Sequence, residues 1–158
     1  MFAEYRPNAG IVVSDSQGRV LLCLRKGTTD SWQFPQGGIE EGETPRQAAI
    51  RELREETSLS EVTPIKTLDF PAYYDFPADV APKLRYEGKK YKGQAMYWTL
   101  FLLTGKESQI NLNTPEPEFS AYRWATLPEA YDLIVDFKKT AYAVALKEFL
   151  PLLPIKNI

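Results

Sequence analysis

The sequence predicts an α/β fold, a mixed sheet covered by helices as an α/β/α sandwich. Three observations predict it. Short β-branched and apolar runs recur along the chain, three helical segments are interleaved with them, and no repeat or composition shift divides the 158 residues. The chain is long enough for one domain with a sizeable core, and residues 1–158 are read as one domain.

Asn8 to Ser14 and Arg19 to Leu24 read as strands joined by the turn Asp15-Ser16-Gln17-Gly18. Ser31 to Gly38 is extended, because Pro35 forbids helix there. The next element is a helix with clear punctuation. Thr44 is its N-cap, Pro45 takes the first helical position and Gln47 completes a capping box. Ala48, Ala49, Ile50 and Leu53 supply its apolar side, and it ends near Thr57. Val62 to Phe76 is extended chain broken by Pro64 and Pro71, and Pro77 to Tyr91 is a long polar loop. Gln94 to Leu103 is the strongest strand pattern in the chain. Gly105 to Ser120 is irregular and Ala121 to Ala125 is a short strand. Helices are expected over Leu127 to Val135 and Thr140 to Leu150.

Composition excludes several chemistries. There is no histidine, which removes Ser-His-Asp and Cys-His catalysis and every His-ligated zinc site. Any metal must be held by oxygen, which points to magnesium, manganese or calcium. A net charge of -2 argues against a broad basic face that coats nucleic acid. The single cysteine, Cys23, lies in an apolar run and reads as a core residue in a reducing compartment. No signal peptide and no membrane-spanning apolar run is seen, so a cytoplasmic location is expected.

The chemistry concentrates between Gly37 and Leu59. Glu52 lies three and four positions before Glu55 and Glu56, so the three carboxylates cluster toward one side of the helix. Such a cluster repels itself unless a cation sits among its members. Magnesium commonly bridges carboxylates to substrate phosphates, so the pattern suits hydrolysis at a phosphoanhydride. The competing reading, a solvated charged helix face, does not account for the glycine-rich loop that precedes it.

Gly37, Glu43, Arg51-Glu52-Leu53, Glu55-Glu56 and Leu59 resemble the Nudix box. One position departs from it: Ser58 stands where the family usually has glycine. The resemblance implies the Nudix α/β/α sandwich with a loop-helix-loop catalytic box. It implies that Glu52, Glu55 and Glu56 bind Mg2+ or Mn2+ with help from the Gly37 carbonyl, and that Glu43 and Arg51 form an ion pair at the catalytic helix. Glu118, with Glu116 close by, looks like the family's further metal-binding glutamate outside the box.

Segments outside the box, among them Trp32 to Gly38 and Val135 to Lys138, are similar to a subfamily of RNA pyrophosphohydrolases and plant-type asymmetric diadenosine tetraphosphate hydrolases. The resemblance implies a nucleoside polyphosphate or an RNA 5′ end as substrate, and it points to no stable protein partner. The substrate-binding residues expected are Arg6, Arg25 and Lys138 for phosphates, Tyr74 and Phe137 for a base, Gln36 and Gln94 as polar lining, and Tyr142 one helical turn beyond Lys138. Trp32, Trp98 and Trp124 are expected to be packing residues. The basic cluster Lys83, Arg85, Lys89, Lys90 and Lys92 reads as a solvated loop.

Overall fold

A computed structural model describes residues 5–79 and 91–154. Most of the long polar loop, with Lys83, Arg85, Lys89 and Lys90, lies outside the described residues.

Among the described residues, eight strands form one mixed sheet. They are β1 (Tyr5–Ser14), β2 (Val20–Arg25), β3 (Trp32–Gln33), β4 (Gln36–Gly38), β5 (Val62–Thr67), β6 (Ala72–Asp75), β7 (Gly93–Leu103) and β8 (Phe119–Ala125). The main path is β3-β2-β1-β7-β5, with β4 on β1, β6 on β7 and β8 on β2. Only β1 and β7 run parallel; the other pairs are antiparallel.

The parallel ladder extends β1 back to Tyr5, three residues before the strand the pattern predicts. Val62 to Phe76 splits into β5 and β6 with Pro71 between them, and both strands pair with β7. The helices are α1 (Pro45–Thr57), α2 (Leu127–Leu133) and α3 (Lys139–Phe149).

Strand alternation sorts the core onto two faces. On one face Ala9, Ile11 and Val13 of β1 meet Ala48, Ala49 and Leu53 of α1. On the other face Val12, Met96, Trp98 and Leu100 meet Leu127 and Ala130 of α2 and Ala141, Ala145 and Phe149 of α3. This is the α/β/α layering expected. Gly10 faces Trp98 across the β1–β7 ladder, and a Cβ there would come 2.4 Å from the indole ring. The Trp98 indole donates to the Ala141 carbonyl at 3.1 Å, tying β7 to α3.

The N-terminus of α1 carries the expected capping box: the Thr44 hydroxyl accepts from the Gln47 N–H, and the Gln47 side chain accepts from the Thr44 N–H. At the other end Ser58 is the only non-glycine residue with positive φ among the described residues, at 69°. Its hydroxyl donates to the Asn111 carbonyl at 2.8 Å, which offsets part of the cost of that conformation.

Candidate active site

The loop before α1 is built to aim the helix. Glu40 N–H donates to the Glu43 carboxylate at 2.9 Å. Arg51 grips that carboxylate with two bonds, at 2.7 and 2.9 Å, and donates to the Gly38 carbonyl at 2.9 Å. The guanidinium holds the Glu43 carboxyl down at about 2. A third nitrogen of Arg51 reaches Glu52 at 2.9 Å and Glu55 at 3.4 Å. Arg51 therefore acts as a clamp, and its guanidinium is committed to the protein's own groups.

The carboxylates differ sharply in environment. Glu55 is 56% exposed, whereas Glu56 is 6% exposed. Burial, then the neighbouring Glu52 and Glu118 carboxylates, pushes Glu56 up to about 9, although the Gln36 backbone N–H opposes the shift. Burial also raises Glu52, and Arg51 pulls against it. The Glu52 carboxyl packs against Gly37, where a Cβ would lie 2.0 Å from the carboxyl carbon. Glycine is required there for close approach alone.

Glu52, Glu55, Glu56, Glu116 and Glu118 line one cavity of about 330 Å3. Glu118 is carried there by the start of β8, where its carbonyl accepts from the Lys26 N–H at 2.8 Å. Among the described residues no three acidic side chains stand as a ready-made metal set, and Arg51 holds Glu52 aside. The donors nonetheless fit a hard divalent cation. All are oxygens, and Glu56 Oε1 is buried without a hydrogen-bond partner. A cation would supply what that oxygen lacks.

Three of these carboxylates, Glu52, Glu56 and Glu118, open onto a cavity of about 290 Å3 shared with Arg6, Arg25, Gln36, Gly37 and Gln94. Beyond it lies a third cavity of about 430 Å3, walled by Arg25, Trp32, Tyr74, Phe76, Phe137 and Lys138. The β1–β7 and β6–β7 registers set Arg6 and Tyr74 on either side of Gln94. Arg6 donates to Gln94 Oε1 at 3.3 Å, and the Gln94 amide donates to the Tyr74 hydroxyl. Lys138 is nearly buried, donates to Gln33 Oε1 at 3.4 Å and lies 5.9 Å over the Tyr74 ring. Burial, with Arg25 nearby, pushes its ammonium down to about 8.

Two expected substrate contacts need correction. Tyr142 lies in the core, stacked on Phe34 at 4.9 Å, and its hydroxyl accepts from the Phe34 N–H at 2.8 Å. Strand β3 runs into Phe34 just where α3 passes, so this tyrosine braces the sheet and does not face the cavity. Tyr74 sits at the cavity but is 3% exposed, its ring packed edge-on against Phe76 and close to Phe137. Buried on β6, its ring belongs to the packed wall of the cavity rather than standing free in it. Phe137 remains on the cavity wall.

Trp32 was expected to be packing only, yet it also forms part of that wall, with Arg123 over its ring at 5.5 Å. Asn8 and Gln33 line the site without having been expected there. For Asn8 the signal was the period-2 alternation that puts it on the same face of β1 as Arg6.

The NUDIX domain model matches residues 4–153. This chain belongs to the Nudix hydrolase family. It is 42% identical over 151 residues to an RNA pyrophosphohydrolase of Sphingopyxis alaskensis, covering 94% of each chain. It is 38% identical over 149 residues to chloroplastic Nudix hydrolase 26 of Arabidopsis thaliana, covering 92% of this chain and 69% of that protein. Its fold is similar to that of the E. coli dihydroneopterin triphosphate pyrophosphohydrolase, with a TM-score of 0.63, 24% identity and coverage of 89% and 95%. Divalent metals are typical of Nudix hydrolases. No helix among the described residues is long and apolar enough to cross a membrane.

Proposed function

We propose that this Nudix hydrolase converts 5′-triphosphate RNA ends to 5′-monophosphate ends, with Mg2+ or Mn2+. The observation that carries the reading is a run of three adjoining cavities, with carboxylates at one end and cations with an aromatic wall at the other; the first two share Glu52, Glu56 and Glu118, and the last two share Arg25, Gln36 and Gln94. A polyphosphate fits between the ends, and the nucleoside attached to it fits the wall of Trp32 and Phe137. Near full-length similarity to an RNA pyrophosphohydrolase supports the RNA end as substrate. The free thiol of Cys23 supports a reducing, cytoplasmic setting.

Glu52, Glu55, Glu56 and Glu118, with the Gly37 carbonyl, would hold the cation. The cation would neutralise phosphate charge and acidify a water. Arg6, Arg25 and Lys138 bind the phosphate oxygens and align the chain of phosphates. Water attacks phosphorus, its proton passes to a box carboxylate, and the bridging P–O bond breaks with its electron pair leaving on the departing phosphate. Arg51 keeps the glutamate helix in position throughout.

A second reading, asymmetric cleavage of diadenosine tetraphosphate to ATP and AMP, uses the same cavity. Both substrates present a polyphosphate with a base at one end, and the segments Trp32 to Gly38 and Val135 to Lys138, which resemble the subfamily holding both activities, keep this reading in view. Product analysis on both substrates side by side, with Mg2+ or Mn2+, separates the two. Faster conversion of the RNA to a 5′-monophosphate end is expected. ATP and AMP as dominant products, with RNA untouched, would move the assignment to the dinucleotide. No turnover of either would leave a nucleotide-binding module on the Nudix fold.

A further inference from the structure

Asn8 and Gln36 line the catalytic cavity, and their carboxamide oxygens, Asn8 Oδ1 and Gln36 Oε1, are buried without a hydrogen-bond partner. The orientation of Asn8 follows from its neighbours. Arg6 can only donate, so the Gln94 atom it meets at 3.3 Å is the oxygen. That same oxygen lies 2.9 Å from Asn8, which must therefore offer its Nδ2 there. Asn8 Oδ1 is left pointing elsewhere, on a residue only 1% exposed. In the β1–β4 ladder Asn8 pairs with Gly38 and Gly10 with Gln36, so Asn8 and Gln36 are diagonal neighbours on one face. The Gln36 backbone N–H also reaches the Glu56 carboxylate.

A buried acceptor without a donor is costly. The phosphates of a substrate are acceptors too, so they cannot relieve it, and the nucleoside, which does carry donors, is placed at the Trp32–Phe137 wall, which Asn8 does not line. A hydrated divalent cation brings O–H donors, and magnesium keeps several of its waters when bound. We propose that Asn8 is a positioning residue for the cation, its Oδ1 and the neighbouring Gln36 Oε1 accepting hydrogen bonds from the cation's water shell. This rests on the metal-dependent reading above.

The test is Mn2+ titration of the substrate-free protein, followed by calorimetry or electron paramagnetic resonance. Asn8→Ala is expected to weaken Mn2+ binding by about tenfold or more, the scale of lost outer-shell partners. Gln94→Glu keeps an acceptor for the Asn8 amide, and so its orientation, and is expected not to weaken Mn2+ binding. Weakening in Gln94→Glu equal to that in Asn8→Ala would mean that Asn8 acts only by propping residue 94, and would overturn the proposal. Unchanged affinity in Asn8→Ala would overturn it as well. Should Asn8→Ala not fold, Gln36→Leu carries the same expectation from a less buried position, and unchanged affinity there has the same force. Failure of the unaltered protein to bind Mn2+ would remove the metal reading itself, whatever the variants do.

Discussion

The two ends of the catalytic cavity solve opposite problems. At the acidic end, like charges sit on one helix, and the most buried of them, Glu56, has an oxygen with no partner. At the cationic end, the charges come from three separate elements, and two of them are steadied by a neutral group. Arg6 leans on Gln94 and Lys138 on Gln33, while Arg25 closes strand β2. The acidic end waits for a ligand of opposite sign. The cationic end is already positioned, and a polyphosphate with its cation joins the two. A site of this form holds strain where the metal goes and order where the substrate goes.

Breaking the acidic end should have the largest effect. Glu55→Gln and Glu56→Gln are each expected to lower turnover by at least ~10²-fold with circular dichroism unchanged. Wild-type rates in both variants would remove the roles given to these residues.

The cationic end should fail more gently. Lys138→Met is expected to raise KM for the polyphosphate substrate by about tenfold, the value of one charge-assisted hydrogen bond, with a smaller change in kcat. In the unaltered enzyme KM should also rise as pH climbs above about 8, where Lys138 gives up its proton. A KM flat from pH 7 to 10 would argue against phosphate contact by this ammonium.

Arg51 sharpens the contrast, since it serves structure at the acidic end. Arg51→Lys loses the two-pronged grip on Glu43 and is expected to cost about 1.5–3 kcal/mol in urea denaturation. No loss of stability would place the clamp elsewhere.

The strain at Glu56 also has a pH signature in metal-free protein. The unfolded chain releases this proton near 4.5, while the folded protein keeps it until about 9. Between those values the folded form binds more protons, so stability falls as pH rises through the window. Urea midpoints in chelator should therefore be lower at pH 9 than at pH 6, and Glu56→Gln should flatten the difference.

The smallest effect is expected at the end of α1. Ser58→Gly relieves a positive φ but loses the bond to Asn111, for a net gain of a few tenths of a kcal/mol up to about 1. A clear loss of stability would show that the hydroxyl contact outweighs the backbone term.

What could be read from sequence follows the same division. The acidic end is local: Glu52, Glu55 and Glu56 share one helix whose cap and apolar face are written in adjacent residues. The three-layer fold was legible for a similar reason, since strand and helix periods are local properties. The cationic end depends on pairing between distant strands, and spacing along the chain carries no trace of it. Arg6 and Gln94 meet only because β1 and β7 run parallel in one register. Tyr142 shows the limit: one turn beyond Lys138 was the right distance, but its ring turns into the core against Phe34. Asn8 was missed because a polar residue within an apolar strand looks like an interruption until its neighbours are known.

The β1–β7 ladder also orders events during synthesis. Tyr5 pairs with Gly93 and Ser14 with Leu102, so the first strand has no partner on that side until most of the chain has been made. Contacts this distant close late and slowly. A nascent chain stopped before Gly93 would carry every glutamate of α1 without the strand on which β1, β5 and β6 all pair. The part with the most obvious chemistry is thus incomplete until a strand well past the middle of the sequence arrives.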